Sequence, residues 1–370
     1  MKKFFMFAAM ASVALVSCVK NDPAAKIESD VEVAFAAPVL SPNVKAATEI
    51  ADPYPTDSKF AVWAYYVADE VYTDMTESQE YMNEVTVANS GTTWKPVGAT
   101  YYWPKNGTLT FAAYSPVTEV ANGKYDYTAE GLQIQGYQVP ADPADQIDLL
   151  YSERTYNQKL EMMDTETTVD PYTGVTLNFK HALTSILFRV TEDKAYESIA
   201  PGTVITITKI EVLQVNAKGS FNQGLVDGPA AVTATPEEVP GWTMNYPAVL
   251  QDYVAFEGAQ PLTTSKCYLA SKDNTDPTKV KANTTDLILL PQVLSEANNQ
   301  AILKISYTIN NKTTTVSQVS TFKLADITAG KQWYRGKRYT YDIDFKLSEI
   351  TFEPTVTVWA EAIEVDVPTI

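Results

Sequence analysis

The chain has 370 residues and a formal net charge of −17, and at ~150 residues per domain that length suggests two domains. Hydrophobic residues make up 45% and charged residues 20%, so packed cores are within reach and the composition is not that of a disordered chain. The acidic balance argues against nucleic acid or an anionic membrane surface as partners held by charge, because phosphate contacts need Lys and Arg. A single histidine, His181, is present. A His-ligated zinc site, a Ser-His-Asp triad or a Cys-His dyad would each have to be built on that one residue.

Lys2 and Lys3 precede an apolar run from Phe4 to Val16, too short for a stable span of ~30 Å of hydrocarbon. It ends in Leu15-Val16-Ser17-Cys18, which resembles a bacterial lipobox. The resemblance implies a signal peptide over 1–17, cleavage before Cys18, acylation of Cys18 with groups such as palmitate, and delivery to the outer membrane. The plainer reading is an ordinary signal peptide with an incidental cysteine. Two or more acyl chains anchor stably where one is marginal. Cys267 is then the only thiol, in a stretch that reads as a strand.

Val31-Glu32-Val33-Ala34-Phe35 alternates as a half-buried strand does. A Pro-bearing stretch of mostly small residues follows from Pro38 to Pro55. Strands are predicted at Phe60–Val67, at Thr108–Tyr114 after the Asn106-Gly107 turn pair, and at Asp148–Tyr151. Residues 155–170 are polar and acidic and read as a crossing between domains. Further strands are predicted at Val175–Phe179, Ser185–Val190, Thr203–Val215, Asp286–Leu290, Ala301–Ile309, Thr313–Val319, Gly336–Phe345 and Val356–Trp359. No helical pattern exceeds ~12 residues beyond the leader, and many short strands between turn signals predict an all-β chain of β-sandwiches.

No Gly-rich phosphate loop, Cys-x-x-Cys pair, EF-hand loop or Gly-x-Ser-x-Gly elbow is present. Asp142, Asp145 and Asp148, or Asp273 and Asp276, could in principle hold calcium, but neither spacing matches a dedicated oxygen cage, and solvated acidic loops are the simpler reading. His181, Trp103 and Trp333 read as packing residues. No enzyme, cofactor or metal is expected.

Tyr102-Trp103-Pro104, with Leu109-Thr110-Phe111-Ala112-Ala113-Tyr114-Ser115-Pro116 after it, resembles the "YWP … L-x-F-x-A-Y-x-P" hairpin of the fimbrillins of Bacteroidales. Leu177 to Ile186 resembles their "L-x-F-x-H-A-L-x-x-I" segment. Pro291-Gln292, Trp333 through Tyr341, and Val356-Thr357-Val358-Trp359 follow in the family's order. The resemblance implies two tandem transthyretin-like β-sandwich domains, 18–165 and 166–370. It also implies a fimbrial (pilus) subunit acting in adhesion, exported as a lipoprotein and assembled by β-strand exchange at the cell surface. Its partners would be other fimbrial subunits, the outer membrane through the lipid, and a host or bacterial surface ligand.

Within that scheme Val31, Val33 and Phe35 mark the exchanged strand and Val356 to Ile370 the donor. One departure stands out. The family's maturation is associated with cleavage after an arginine in the loop that follows the first strand, yet the four arginines are Arg154, Arg189, Arg335 and Arg338. The loop offers only Lys45-Ala46. Either cleavage falls after Lys45, or the strand stays in place and the protein is an anchor or a non-polymerising lipoprotein. The first rival function is a glycan-binding β-sandwich lipoprotein, which would need exposed aromatics on one sheet face, for example around Tyr65 and Tyr101; the second is a hydrolase, which would need a cleft with paired carboxylates ~5–10 Å apart.

Overall fold

A computed structural model of the chain describes residues 28–40, 52–68, 78–117, 124–128, 131–160, 174–192, 201–227, 241–245, 247–264, 267–269, 287–294, 300–345 and 350–358. The first strands are β1 (Glu28–Glu32), β2 (Val39–Leu40), β3 (Asp52–Pro53), β4 (Lys59–Val67), β5 (Gln79–Asn89) and β6 (Trp94–Pro96). Next come β7 (Tyr102–Pro104), β8 (Thr108–Ser115), β9 (Lys124–Thr128), β10 (Gly131–Gln138), β11 (Leu150–Ser152) and β12 (Thr155–Gln158). The chain continues with β13 (Asn178–His181), β14 (Thr184–Glu192), β15 (Val204–Asn216), β16 (Lys218–Asn222), β17 (Trp242–Met244) and β18 (Leu250–Pro261). It closes with β19 (Cys267–Tyr268), β20 (Leu287–Leu289), β21 (Ile302–Asn310), β22 (Thr315–Lys323), β23 (Lys337–Phe345) and β24 (Ile350–Val358). Among the described residues the α-helices are single turns, Gly224–Asp227 and Leu324–Ile327. The protein is all-β, as its residue pattern predicts.

The largest sheet runs β3-β2-β13-β11-β8-β4-β5-β6, with β12 also on β8. Its middle is apolar on both faces, the composition a sheet needs when both sides are covered. In β4, Phe60, Val62 and Ala64 enter one core while Ala61, Trp63, Tyr65 and Val67 enter another. Likewise β8 sends Leu109, Phe111 and Ala113 one way and Ala112 and Tyr114 the other. The first core is aromatic: Phe35, Tyr54, Phe60, Trp94, Trp103, Phe111 and Phe179. The second is larger and reaches Phe188, Ile210, Tyr253, Trp333 and Tyr341 in the later part of the chain.

Strands from both sides of residue 165 share a sheet, ordered β17-β16-β10-β9, in which Ile134 lies opposite Phe221. Arg335, buried, bonds the Tyr151 hydroxyl and lies over its ring. Thr155–Gln158, within the stretch read as a crossing, is a strand on β8. Two further sheets, β19-β14-β23-β24 with β20 on β14, and β18-β15-β21-β22, complete the fold.

β-Bulges keep apolar residues inward where strict alternation fails, since one extra residue flips every later side chain to the other face. In β10 the buried residues are Leu132 and Ile134, then Tyr137, with the register shift between Ile134 and Tyr137. Gly136 sits there at φ +67, a conformation that glycine adopts without strain. In β15 buried Ile205 and Ile207 give way to Ile210 and Val212, then to Val215, across two register shifts.

Candidate functional site

The N-terminal segment closes the largest sheet on itself. β1 pairs antiparallel with β7, Glu32 opposite Tyr102, and Lys95 bridges to Glu32 at 2.8 Å. The regular ladder ends there, so the predicted Val31–Phe35 strand is displaced: β1 stops at Glu32 and the next residues are held one by one. Val33 N–H donates to Tyr101 O at 2.7 Å. Phe35 and Trp94 exchange both backbone bonds, 2.8 and 2.9 Å. On the other side Val175 N–H donates to Ala34 O at 2.9 Å and Ala36 N–H to Val175 O at 3.0 Å. Residues 33–36 therefore lie antiparallel to β6 and parallel to the strand leading into β13.

Side chains anchor the segment more firmly than its hydrogen bonds do. Phe35 is 0% exposed and Val33 1%, and Val31 packs half-buried on the same core. Phe35 meets Phe60 and Phe111 edge to face, with centroids 5.8 and 5.6 Å apart, a favoured aromatic geometry. Ala34 is buried as well, at 2%. Gly174 makes the close approach possible. Its φ is +88, and a Cβ there would stand 2.4 Å from the Phe35 carbonyl carbon. Val31, Val33 and Phe35 are thus brought together at one core. Trp94 and Gly174 are not singled out by the sequence, Val175 reads there only as the start of a strand, and the local signal for this receptor is a lone glycine.

The other site candidates separate clearly. Cys18, Lys45 and Ala46 lie outside the described residues, as do Asp273 and Asp276. Of the donor segment, Val356–Val358 belongs to β24, where Val356 lies opposite Tyr339 and Val358 opposite Lys337. Residues 359–370 lie outside the described residues. Cys267 is in β19, opposite Val190. His181 is 2% exposed, with Nδ1 2.9 Å from both Asp148 carboxylate oxygens. Asp142 caps the short turn after it by accepting from Ala144 N–H at 2.8 Å. No group of three His, Cys, Asp or Glu that could hold a metal occurs among the described residues. Trp103 and Trp333 are fully buried, and Trp333 Nε1 donates to the Tyr341 hydroxyl at 2.9 Å.

The aromatic face around Tyr65 is covered. Trp63 and Tyr65 are buried and stack on Tyr127 of β9, with centroids 5.8 and 5.2 Å apart. Tyr101 is half-buried against the first core. Burial governs the other phenols too. Tyr54, hydrogen-bonded to Ser115 at 2.5 Å, is pushed up to about 12 by desolvation.

Among solved structures, the chain is similar to a fimbrial protein from Bacteroides vulgatus. Identity is 18%, TM-score 0.53, and 88% of this chain and 100% of that one are covered. A proposed cell adhesion protein from Bacteroides uniformis matches at 13% identity and TM-score 0.45, covering 89% and 99%. The fimbrial anchor protein Mfa2 from Porphyromonas gingivalis matches at 10% identity and TM-score 0.31, covering 89% and 97%. No curated protein matches the sequence. The fimbrillin-like family profile matches residues 54–359, most of the chain and all the motifs from Tyr102 to Trp359, and the protein belongs to the fimbrillin-like family.

Proposed function

We propose that this protein is a structural, non-enzymatic subunit of a cell-surface fimbria, exported as a lipoprotein acylated at Cys18 and assembled by β-strand exchange. The supporting observation is the seat of Val33 and Phe35. Two large apolar side chains, buried to 1% or less, close a core whose other walls come from residues 40–179. Taking such a segment away exposes apolar core and unpaired backbone groups, and an added strand relieves both. The chain is divided near residue 165 into two transthyretin-like domains, tied by the shared sheet. Cleavage after Lys45 would release the strand in a stalk subunit. Retention of the strand would make the chain an anchor that stays on its lipid. Partners are other fimbrial subunits and the outer membrane.

The mature N-terminus on cells tests this reading, determined by mass spectrometry of surface-shaved and membrane-extracted protein. An acylated Cys18 in the membrane pool, with Ala46 as first residue in the polymer, supports the stalk role. An acylated Cys18 throughout, co-purifying with fimbriae, supports the anchor role. A chain never associated with fimbriae refutes both. Lysine-specific proteolysis at Lys45, followed by incubation, checks exchange directly. Clipped protein that keeps residues 28–40 indefinitely and forms no higher-order species rules exchange out.

A further inference from the structure

Among the described residues the sheet edges are guarded in distinct ways, and one long edge has no described strand paired with it. Exposed edges invite pairing with another chain, and proteins blunt them with charge, Pro, bulges or brevity. Here β3, β6, β7, β17, β19 and β20 are two or three residues long. β1 carries Glu28, Asp30 and Glu32, and β9 carries Asp126. β24 contains Glu353 and Pro354. β18 has Asp252, Glu257 and a closing Pro261, with register shifts along its length. β22 has no acidic residue, no Pro and no bulge, and its one charge is the terminal Lys323. It runs nine residues, TVSQVSTFK, in unbroken register with β21. Of the described edge strands with five or more residues, it alone holds no acidic side chain.

The hairpin fixes which groups face outward. Asn311 N–H bonds Thr314 O at 3.1 Å, and bonded pairs alternate along an antiparallel ladder. Gln318 and Ser320 are thereby bonded inward to Tyr307 and Ile305. Thr315, Ser317, Val319, Thr321 and Lys323 turn their N–H and C=O toward the open edge. Val316 is 48% exposed and Val319 58%.

We propose that β22 is a homotypic docking edge: two copies of the chain pair their β22 strands antiparallel about a two-fold axis through Val319. In a chain of net charge −17, an edge without carboxylates is where self-pairing meets least repulsion, and β22 supplies one. The register is self-complementary. Val319 meets Val319 of the partner copy, Ser317 meets Thr321, Gln318 meets Ser320, and Val316 meets Phe322. The one charge, Lys323, falls opposite Thr315, so no like charges are opposed. Every outward-facing residue then pairs with another outward-facing residue, and the pair exchanges both backbone bonds. This contact uses a different edge from the N-terminal segment and does not depend on the fimbrial reading.

Disulfide trapping on cells tests it in the full-length protein. In the proposed pairing the two Val319 Cα atoms are about 5.5 Å apart, within the range a disulfide bridges. Val319→Cys should give a covalent homodimer on mild oxidation, reversed by reductant. Thr315→Cys is an exposed control on the same strand whose copies would lie roughly 27 Å apart, and it should give none. Adding Glu at Val319 opposes two charges across the axis, so Val319→Glu should cut dimer recovered by an amine crosslinker several-fold while leaving the circular dichroism unchanged. Equal trapping by Val319→Cys and Thr315→Cys, no trapping by either, or trapping of Val319→Cys to a different protein each overturns the self-pairing. The last outcome would assign the edge to another subunit.

Discussion

Truncating Phe35 to alanine removes a side chain that is fully buried between two rings. A buried Phe→Ala change costs about 3–5 kcal/mol, more where the surroundings cannot collapse into the cavity. Here the rings against it are Phe60 and Phe111, rigid groups carried on sheet strands, so a loss of about 4–5 kcal/mol is expected. Val33→Ala deletes two buried methyl groups at ~0.8 kcal/mol each plus a small cavity, about 2 kcal/mol in all. Val31→Ala, at a half-buried position, should cost less than about 1 kcal/mol. Urea titration of the purified protein, carrying Cys18→Ala to prevent acylation, measures these as midpoint shifts at constant slope. The losses should fall in the order Phe35, Val33, Val31, which is the order of their burial. Equal small losses, or a larger loss at Val31, would show that the segment is not seated in the core.

Gly174→Ala should destabilise by about 2–4 kcal/mol, because the new Cβ meets the Phe35 backbone at 2.4 Å as well as an unfavourable φ. Gly98→Ala, at φ +84 with open space around it, isolates the φ penalty at about 1–2 kcal/mol, and equal losses at the two positions would refute the close approach. Burial pushes Tyr54 and Tyr341 up to about 12 and raises Tyr114, Tyr125, Tyr137, Tyr253 and Tyr339 further. Each phenol's folded value lies above its unfolded one, so stability is intact below pH 10 and declines as pH rises toward the folded values. Tyrosinate absorbance should therefore appear together with unfolding, and buried phenols ionising near 10 in a folded protein would contradict this. Burial alone would raise the Glu211 carboxyl, but the ammonium groups of Lys304 and Lys209, 2.8 and 3.1 Å away, hold it below its ordinary 4.5. Its contribution is present above pH 4.5 and lost as pH falls through the lowered value, so Glu211→Gln should flatten that part of the acid limb in a stability-versus-pH series.

Most strands legible in the sequence have an unbroken alternation or apolar run; β15, predicted over Thr203–Val215, is the exception, marked by its β-branched residues despite its register shifts. β4, β8, β14, β21 and β23 all lie within the predicted stretches or overlap them closely. β5, β10 and β18 were not visible, and each contains a register shift. In β5 the buried residues Met82 and Val87 differ in parity, with Glu84 at φ +49 between them. A period-2 reading takes such a strand for two short fragments. β9 and β17 are short, and β9 is largely polar, so their pairing partners rather than their own residues make them strands. The same limit applies to the site. The apolar residues of the N-terminal segment announced themselves, but Trp94 and Val175 belong to it only through non-local pairing, which no local period encodes.

The proposed strand exchange would set a chemical requirement on any replacement for residues 31–35. Phe35 and Val33 together contribute about 6 kcal/mol by the figures above, comparable with the ~5–15 kcal/mol that holds an entire domain. A clipped subunit is therefore under strong pressure to accept another strand. The segment reads Val-Glu-Val-Ala-Phe, and its small fourth residue, Ala34, is buried while its carbonyl accepts from Val175. The C-terminal stretch Ile363-Glu364-Val365-Asp366-Val367 has the same pattern with three substitutions, of which Ile363 for Val31 is conservative. Val367 replaces Phe35, leaving the aromatic pocket underfilled, and Asp366 falls where Ala34 is buried. An unpaired carboxylate there costs several kcal/mol. In the proposed exchange, Asp366→Ala should therefore raise the yield and denaturant resistance of oligomers formed after cleavage at Lys45, and Val367→Phe should add to it. Lowering the pH should narrow the gap between wild type and Asp366→Ala, because protonation removes the buried charge. Native gels of the clipped proteins across pH read this out. Unchanged or reduced assembly for Asp366→Ala would exclude 363–367 as the inserting strand in this register.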